Sequence, residues 1–216
     1  SGCSSLRDIE LPEGLTTIKH YAFSGCSSLR DIELPEGLTT IYAYAFQNCN
    51  SLTVLHLPDS ITAMSARAFY NCAELVEVNY PAGWVSTLDY NYNTSDSYES
   101  YCCSPFAGCA KLSTIVFPQG MTTIARYAFY YCTGIQSLSL PDDLPRIENR
   151  AFYGCSGLTE VDLPDSLTNM GTYTFANCTN LVRAKVNEGR INLTEGTFSG
   201  CSSLRDIELP EGLTTI

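Results

Sequence analysis

Phe23–Ala45 reads FSGCSSLRDIELPEGLTTIYAYA, and most of the chain is a series of variations on it. A phenylalanine opens each copy, at Phe23, Phe46, Phe69, Phe106, Phe129, Phe152, Phe175 and Phe198. A cysteine follows three residues later, at Cys26, Cys49, Cys72, Cys109, Cys132, Cys155, Cys178 and Cys201; Cys3 belongs to a leading copy whose Phe is missing. Successive phenylalanines are 23 residues apart except Phe69 and Phe106, which are 37 apart, so the fourth unit carries 14 extra residues. A fixed period of this length marks a solenoid, in which each unit contacts only its neighbours.

The unit itself dictates its local structure. Ile32 and Leu34 alternate with Asp31 and Glu33, the period of a half-buried strand. Pro35 has no N–H for a ladder and stops the strand. Leu34-Pro35-Glu36-Gly37 has the Pro and Gly placement of a type I turn. Leu38 and Ile41 then point inward from a second short extended piece, and Tyr44-Ala45-Phe46 is expected to begin a helical or 3₁₀ turn. The residue before each repeat cysteine is Gly or Asn in eight of nine units, as a left-handed turn residue should be. Tyr131 is the exception, and strain or a changed turn is expected there.

This pattern resembles the BspA-like leucine-rich repeats, found in surface proteins of host-associated bacteria and some protists. Ala22-Phe23-x-x-Cys26-x-x-Leu29-x-x-Ile32-x-Leu34-Pro35-x-x-Leu38-x-x-Ile41 carries the resemblance, which covers the chain apart from the insertion. The Asn ladder of the generic leucine-rich repeat is absent; Pro and Cys mark the BspA-like variant. The resemblance implies an α/β leucine-rich repeat solenoid, a right-handed horseshoe or slab with a parallel sheet. It implies a role in adhesion at a cell surface, and no catalytic residues.

Composition fits one elongated domain over residues 1–216, of about nine units, with an insertion loop at 84–104. Twelve basic against 23 acidic residues give a net charge of −11, which argues against nucleic acid or an anionic membrane as partner. No apolar run approaches the roughly 20 residues of a membrane helix. Nine of 11 cysteines keep the repeat register, so they form an internal column. Neighbouring strands about 4.8 Å apart would allow disulfides by distance, but the periodic reading is buried thiols acting as small apolar side chains. Cys102 and Cys103 lie outside the register. With histidine only at 20 and 56 and no ligand motif, no metal or cofactor is expected.

Residues 1–18 recur identically at 24–41 and 199–216, as recent duplication or deliberate engineering would produce. The identical ends and the lack of polar capping units suggest a segment of a longer array. Asn187 and Arg190 stand where Pro and Leu are expected, and a local bulge is expected there.

Two outward columns of the first strands change character along the chain. Asp8, Asp31, Val54, Glu77, Thr114, Ser137, Glu160, Arg183 and Asp206 form one; Glu10, Glu33, His56, Asn79, Val116, Ser139, Asp162, Lys185 and Glu208 form the other. They are either drifting solvated surface or, across Val54, His56, Asn79, Thr114, Val116, Ser137 and Ser139, a recognition strip. The insertion LDYNYNTSDSYESY, 88–101, sets Tyr90, Tyr92, Tyr98 and Tyr101 among Ser, Asn and Asp, the composition of antibody paratopes. It is either a tolerated surface loop or a ligand site. Trp84 joins the candidate anchors if exposed, although the register turns it inward. Asp89-x-Asn91-x-Asn93 begins like a calcium loop but has Thr94 where Gly is needed and Ser100 where the bidentate Glu should be. Asn93, Asn177 and Asn192 head glycosylation sequons, a number near chance. The expected function is an extracellular module that binds a host or cell-surface protein or glycoprotein. A structural spacer with no ligand is the alternative, and an enzyme is disfavoured by the lack of any catalytic grouping.

Overall fold

A computed structural model describes residues 1–88, 104–186, 193–211 and 213. Each unit contributes up to two short strands, one before the Pro turn and one after it, and every pairing is parallel. The rows, numbered along the chain, lie on two sides of one core. The first comprises β3 (Val54–Leu55), β5 (Glu77–Asn79), β7 (Thr114–Val116), β9 (Glu160–Leu163), β11 (Arg183–Val186) and β12 (Asp206–Glu208). The second comprises β1 (Thr17–Ile18), β2 (Thr40–Ile41), β4 (Ala63–Ser65), β6 (Ser86–Leu88), β8 (Arg146–Ile147) and β10 (Asn169–Met170). Register advances by one unit per strand: Thr17 faces Thr40, and Val54 faces Glu77. Glu77 faces Thr114 although they are 37 residues apart, so the insertion stays out of the first-row ladder.

Proline ends the first strand and the next inward residue resumes the core. Ile32, Leu34, Leu38 and Ile41 are all buried, while Asp31 and Glu33 are exposed, as the alternation predicts. Leu38 N–H bonds to Pro35 C=O at 2.9 Å, closing the turn.

The expected helical or 3₁₀ turn at the corner does not form; among the described residues there is no helix. Alternate N–H groups are diverted to the next unit. Tyr44, Phe46 and Asn48 donate to Arg67, Ala68 and Tyr70 carbonyls at 3.0, 2.8 and 2.9 Å. The residues between them, Ala45, Gln47 and Cys49, close separate turns onto carbonyls three back. A helix would need all of these donors internally. Two positive-φ residues in most units aim the diverted groups. One is the residue before the cysteine, foreseen as Gly or Asn; Tyr131 keeps the same turn at φ 56° rather than changing it. Its ring packs on Tyr130 and Tyr153 at 4.8 and 5.6 Å and against Gly154, where a Cβ would come within 2.7 Å. The other stands two before the phenylalanine, at Tyr21, Tyr44, Arg67, Tyr127, Arg150, Tyr173 and Gly196.

The phenylalanines stack along the core, from Phe23 to Phe198, with neighbouring centroids 5.0 to 6.0 Å apart. Among the described residues the nine register cysteines are free thiols, and the seven from Cys26 to Cys178 are buried. Each thiol from Cys49 onward donates to the carbonyl of the preceding phenylalanine, for example Cys72 to Phe46 at 3.1 Å and Cys155 to Phe129 at 3.2 Å. Burial pushes the Cys49 thiol from its ordinary 9.0 up to about 12. The proposed bulge near Asn187 and Arg190 lies outside the described residues.

Three predictions follow from this core. Iodoacetamide at pH 8 should spare the seven buried thiols in the folded protein and label them after denaturation; four or more disulfides found by mass spectrometry among the register cysteines would contradict the thiol column. Because folding raises the Cys49 pKa, its protonated thiol stabilises the fold fully below about pH 9, and that contribution should fade between about 9 and 12 in alkaline denaturation. Phe152→Ala should cost roughly 3–5 kcal/mol, whereas Glu36→Ala at an exposed turn should cost well under about 1 kcal/mol. Equal denaturation midpoints for the two would refute the packing role of the phenylalanine column.

Candidate binding surface

The first-row face carries the expected strip only in part. Val54 and Val116 are 38% and 49% exposed, and His56, Thr114, Ser137 and Ser139 are exposed. Pairing brings Val54 and Thr114 to either side of Glu77, and Val116 beside Asn79. Ser137 and Ser139 lie one unit on and in no strand. Asn79 is already engaged: its amide accepts from Leu57 N–H at 2.6 Å and donates to Leu57 C=O at 2.7 Å. That staple replaces ladder bonds at the end of β3, and leaves Asn79 little to offer a ligand.

Trp84 is corrected from candidate anchor to core. It is fully buried, at the register position of Leu38 and Ile61. Its ring stacks on Tyr80 at 4.8 Å, and its indole N–H donates to Ser86 C=O at 2.9 Å. Tyr90, Tyr92, Tyr98 and Tyr101 lie outside the described residues, as do Cys102, Cys103 and the Asp89-x-Asn91-x-Asn93 stretch.

What is described is the root of the insertion, Leu88 and Ser104. It belongs to the second row and the corner, not to the first-row face of Val54 and Val116. The second row breaks there: β6 ends one sheet, and the next described contact is the Ile124–Ile147 bridge. Side chains span the gap instead. Tyr80 hydroxyl donates to Trp84 C=O and accepts from Ala125 N–H, both at 2.8 Å. Thr87 Oγ1 donates to Arg126 C=O at 2.6 Å, and Ser104 Oγ to Ala128 C=O at 2.8 Å. Burial pushes the Tyr80 phenol up, so it stays a neutral donor. Tyr80 replaces the Leu before the turn proline; its hydroxyl restores what a diverted backbone no longer supplies.

Arg183, in the outward column of the eighth unit, is engaged by carboxylates. Arg183 lies 2.8 Å from Asp162, 3.7 Å from Glu160 and 3.6 Å from Glu208. A second feature escaped the sequence reading. Arg67 donates to Tyr44 hydroxyl and lies over the Tyr44 and Tyr70 rings. Arg150 donates to Tyr127 hydroxyl at 3.0 Å and lies over the Tyr127 and Tyr173 rings. Its only signal was the recurrence of Tyr or Arg two residues before six of the eight phenylalanines. These rings and guanidinium groups occupy one another, which makes the corner a structural column. Among the described residues no group of three or more His, Cys, Asp or Glu could hold a metal ion, and no helix is long and apolar enough to cross a membrane.

Comparison with known proteins accords with this architecture. The T. pallidum leucine-rich repeat protein is 26% identical over 80% of this chain and 75% of its own, with a TM-score of 0.59. A leucine-rich repeat protein from Bacteroides ovatus, 22% identical over 100% of this chain, has a TM-score of 0.55 and shares the fold. A leucine-rich cell surface protein from Faecalibacterium prausnitzii is 25% identical over 95% of this chain, with a TM-score of 0.50. This chain spans 63% and 60% of the latter two. No curated protein matches it. The BspA type leucine rich repeat region matches in six copies, over residues 1–104 and 99–216. The chain belongs to the BspA-type leucine-rich repeat family.

Proposed function

We propose that this chain is a non-catalytic binding module of a cell-surface protein, with the insertion as its recognition element. The partner is a host or cell-surface protein or glycoprotein. The observation that carries the reading is how the fold keeps the insertion. A loop rich in Tyr, Ser, Asn and Asp leaves at Leu88 and returns at Ser104, and the sheet break is sealed by Tyr80, Trp84 and Thr87. A spacer has no use for such an excursion. Aromatic side chains dominate binding energy at protein interfaces, and Tyr90, Tyr92, Tyr98 and Tyr101 supply four in the insertion. No Lys or Arg occurs from Ala68 to Ala110, which favours a neutral or basic partner surface. The family and the surface-protein relative from Faecalibacterium support an extracellular location. On the first row, Val54, His56, Thr114, Val116, Ser137 and Ser139 are a secondary contact strip within this proposal.

The test removes 14 residues between Leu88 and Ser104, restoring the 23-residue spacing. The shortened and full chains are passed over immobilised extracellular-matrix proteins and a glycan array. The shortened protein should melt at the same temperature yet lose the binding the full chain shows. Binding at undiminished affinity would make the insertion passive and move the site to the first-row strip. No binding by the full chain to any surface would favour the spacer.

A further inference from the structure

One complete turn of the coil bonds to the turn before it and not to the turn after it. Elsewhere the corner links units by direct main-chain bonds: Phe69 N–H to Pro105 C=O and Phe129 N–H to Ala151 C=O at 2.8 Å, and Phe152 N–H to Thr174 C=O at 3.0 Å. Backward, the turn in question is laddered in the same way. β6 pairs with β4, the N–H groups of Arg67, Phe69 and Asn71 reach the carbonyls of Ser104, Pro105 and Ala107, and β7 pairs with β5. Forward, from 81 to 88 and from 104 to 123, no main-chain bond joins the main chain of the following turn among the described residues. Forward ladders resume at Ile124, which pairs with Ile147, and at Tyr127, whose N–H donates to Asn149 C=O at 3.2 Å.

Hydroxyl groups stand in the gap. Phe106 N–H donates to Ser104 Oγ at 3.0 Å, and that hydroxyl donates to Ala128 C=O at 2.8 Å, so one oxygen is inserted into what is a direct bond in other units. Glu148 N–H bonds to Ile124 C=O at 2.9 Å, but the equivalent Ala125 N–H goes to the Tyr80 hydroxyl at 2.8 Å. Thr87 Oγ1 takes Arg126 C=O at 2.6 Å. The core is looser at the same level: Cys132 Sγ lies 3.9 Å from Phe106 C=O, against 3.1 to 3.3 Å for the other thiols from Cys49 onward. Apolar packing is continuous, with the Phe106 and Phe129 centroids 5.8 Å apart. Regions with few main-chain bonds open without global unfolding. We propose that this seam is a joint, at which the array opens while the turns on either side stay paired. The hydroxyls of Tyr80, Thr87 and Ser104 are its latch. The joint divides the first-row strip, with Val54, His56, Thr114 and Val116 before it and Ser137 and Ser139 after it. Opening changes the angle between those two parts, whether or not the insertion binds a partner.

The test is hydrogen exchange on the full chain, read by mass spectrometry. Peptides 104–109, 127–132 and 150–155 occupy the same corner in three successive units. Relative to intrinsic rates, the first should exchange about tenfold faster than the other two or more, because its opening is local. Its rate should hardly respond to low denaturant, because a local opening exposes little surface. Ser104→Ala should quicken exchange further at 104–109 and 122–126 and leave 39–49 and 150–155 unchanged. Equal protection of the three corner peptides would overturn the joint. So would a denaturant dependence at 104–109 as steep as that of global unfolding, or uniform quickening of every peptide in Ser104→Ala.

Discussion

The carbonyl of the repeat phenylalanine is the acceptor on which the stack depends. In each unit it takes the N–H of its own cysteine and the S–H of the next: Phe69 C=O accepts from Cys72 N–H at 3.3 Å and from Cys109 Sγ at 3.2 Å. That double acceptance sets the distance between units at the centre of the core. The phenylalanine rings must then lie face over face, and each stacked pair adds about 0.5–1.5 kcal/mol beyond area burial. Cysteine suits the position because it is small and apolar yet has a weak donor. Alanine would leave a void and half of the acceptor unmet. A disulfide between neighbouring units would remove the donors altogether.

This centre constrains the corner. Diverting alternate N–H groups to the next unit needs left-handed residues, which cost about 1–2 kcal/mol each when they are not glycine. The inter-unit bonds return about 1 kcal/mol each, and at the outer position the Tyr and Arg side chains add cation–π contacts of about 0.5–1 kcal/mol. Large aromatic and cationic residues therefore occupy a conformation that normally selects Gly or Asn. Their presence there is the consequence of a ladder, and it accounts for five of the 14 tyrosines, Tyr21, Tyr44, Tyr127, Tyr131 and Tyr173.

The period, the two inward-facing strand segments, the proline stop, the buried thiols and the left-handed residue before cysteine were legible because each depends on local chemistry repeated eight or nine times. The corner was misread as helical because its turn residues resemble a helix end, and only the neighbouring unit shows where their N–H groups go. The outer left-handed column was missed because Tyr44, Arg67 and Tyr127 give no local signal of positive φ. At the candidate site, the inward register of Trp84 was visible in its spacing, whereas the stapling of Leu57 by Asn79 depends on a contact 22 residues away. Exposed composition indicated which columns were uncharged, but not that Asn79 and Arg183 were already engaged.

In a solenoid, then, a unit's sequence does not by itself determine its structure. Asp-Ile-Glu forms β12 beside Arg183 and Lys185, and forms no strand in the two N-terminal copies. Core positions tolerate this freedom, because Phe, Cys, Leu and Ile stack equally well on their own kind. Outward positions do not, because like charges at strand spacing repel and unlike charges attract. Stability in such arrays is a sum of unit terms and neighbour terms, and the neighbour term includes the charges of the outward pair. Duplicating one unit exactly in tandem therefore stacks like charges on the outer face while leaving the core continuous. Where outward residues have drifted, opposite charges can meet, as Arg183 does between three carboxylates, but charge does not decide pairing alone, because the uncharged Ser137-Leu138-Ser139 lies in no strand. Faces of different character along one array can thus arise from the order of units, with no change to the core that carries them.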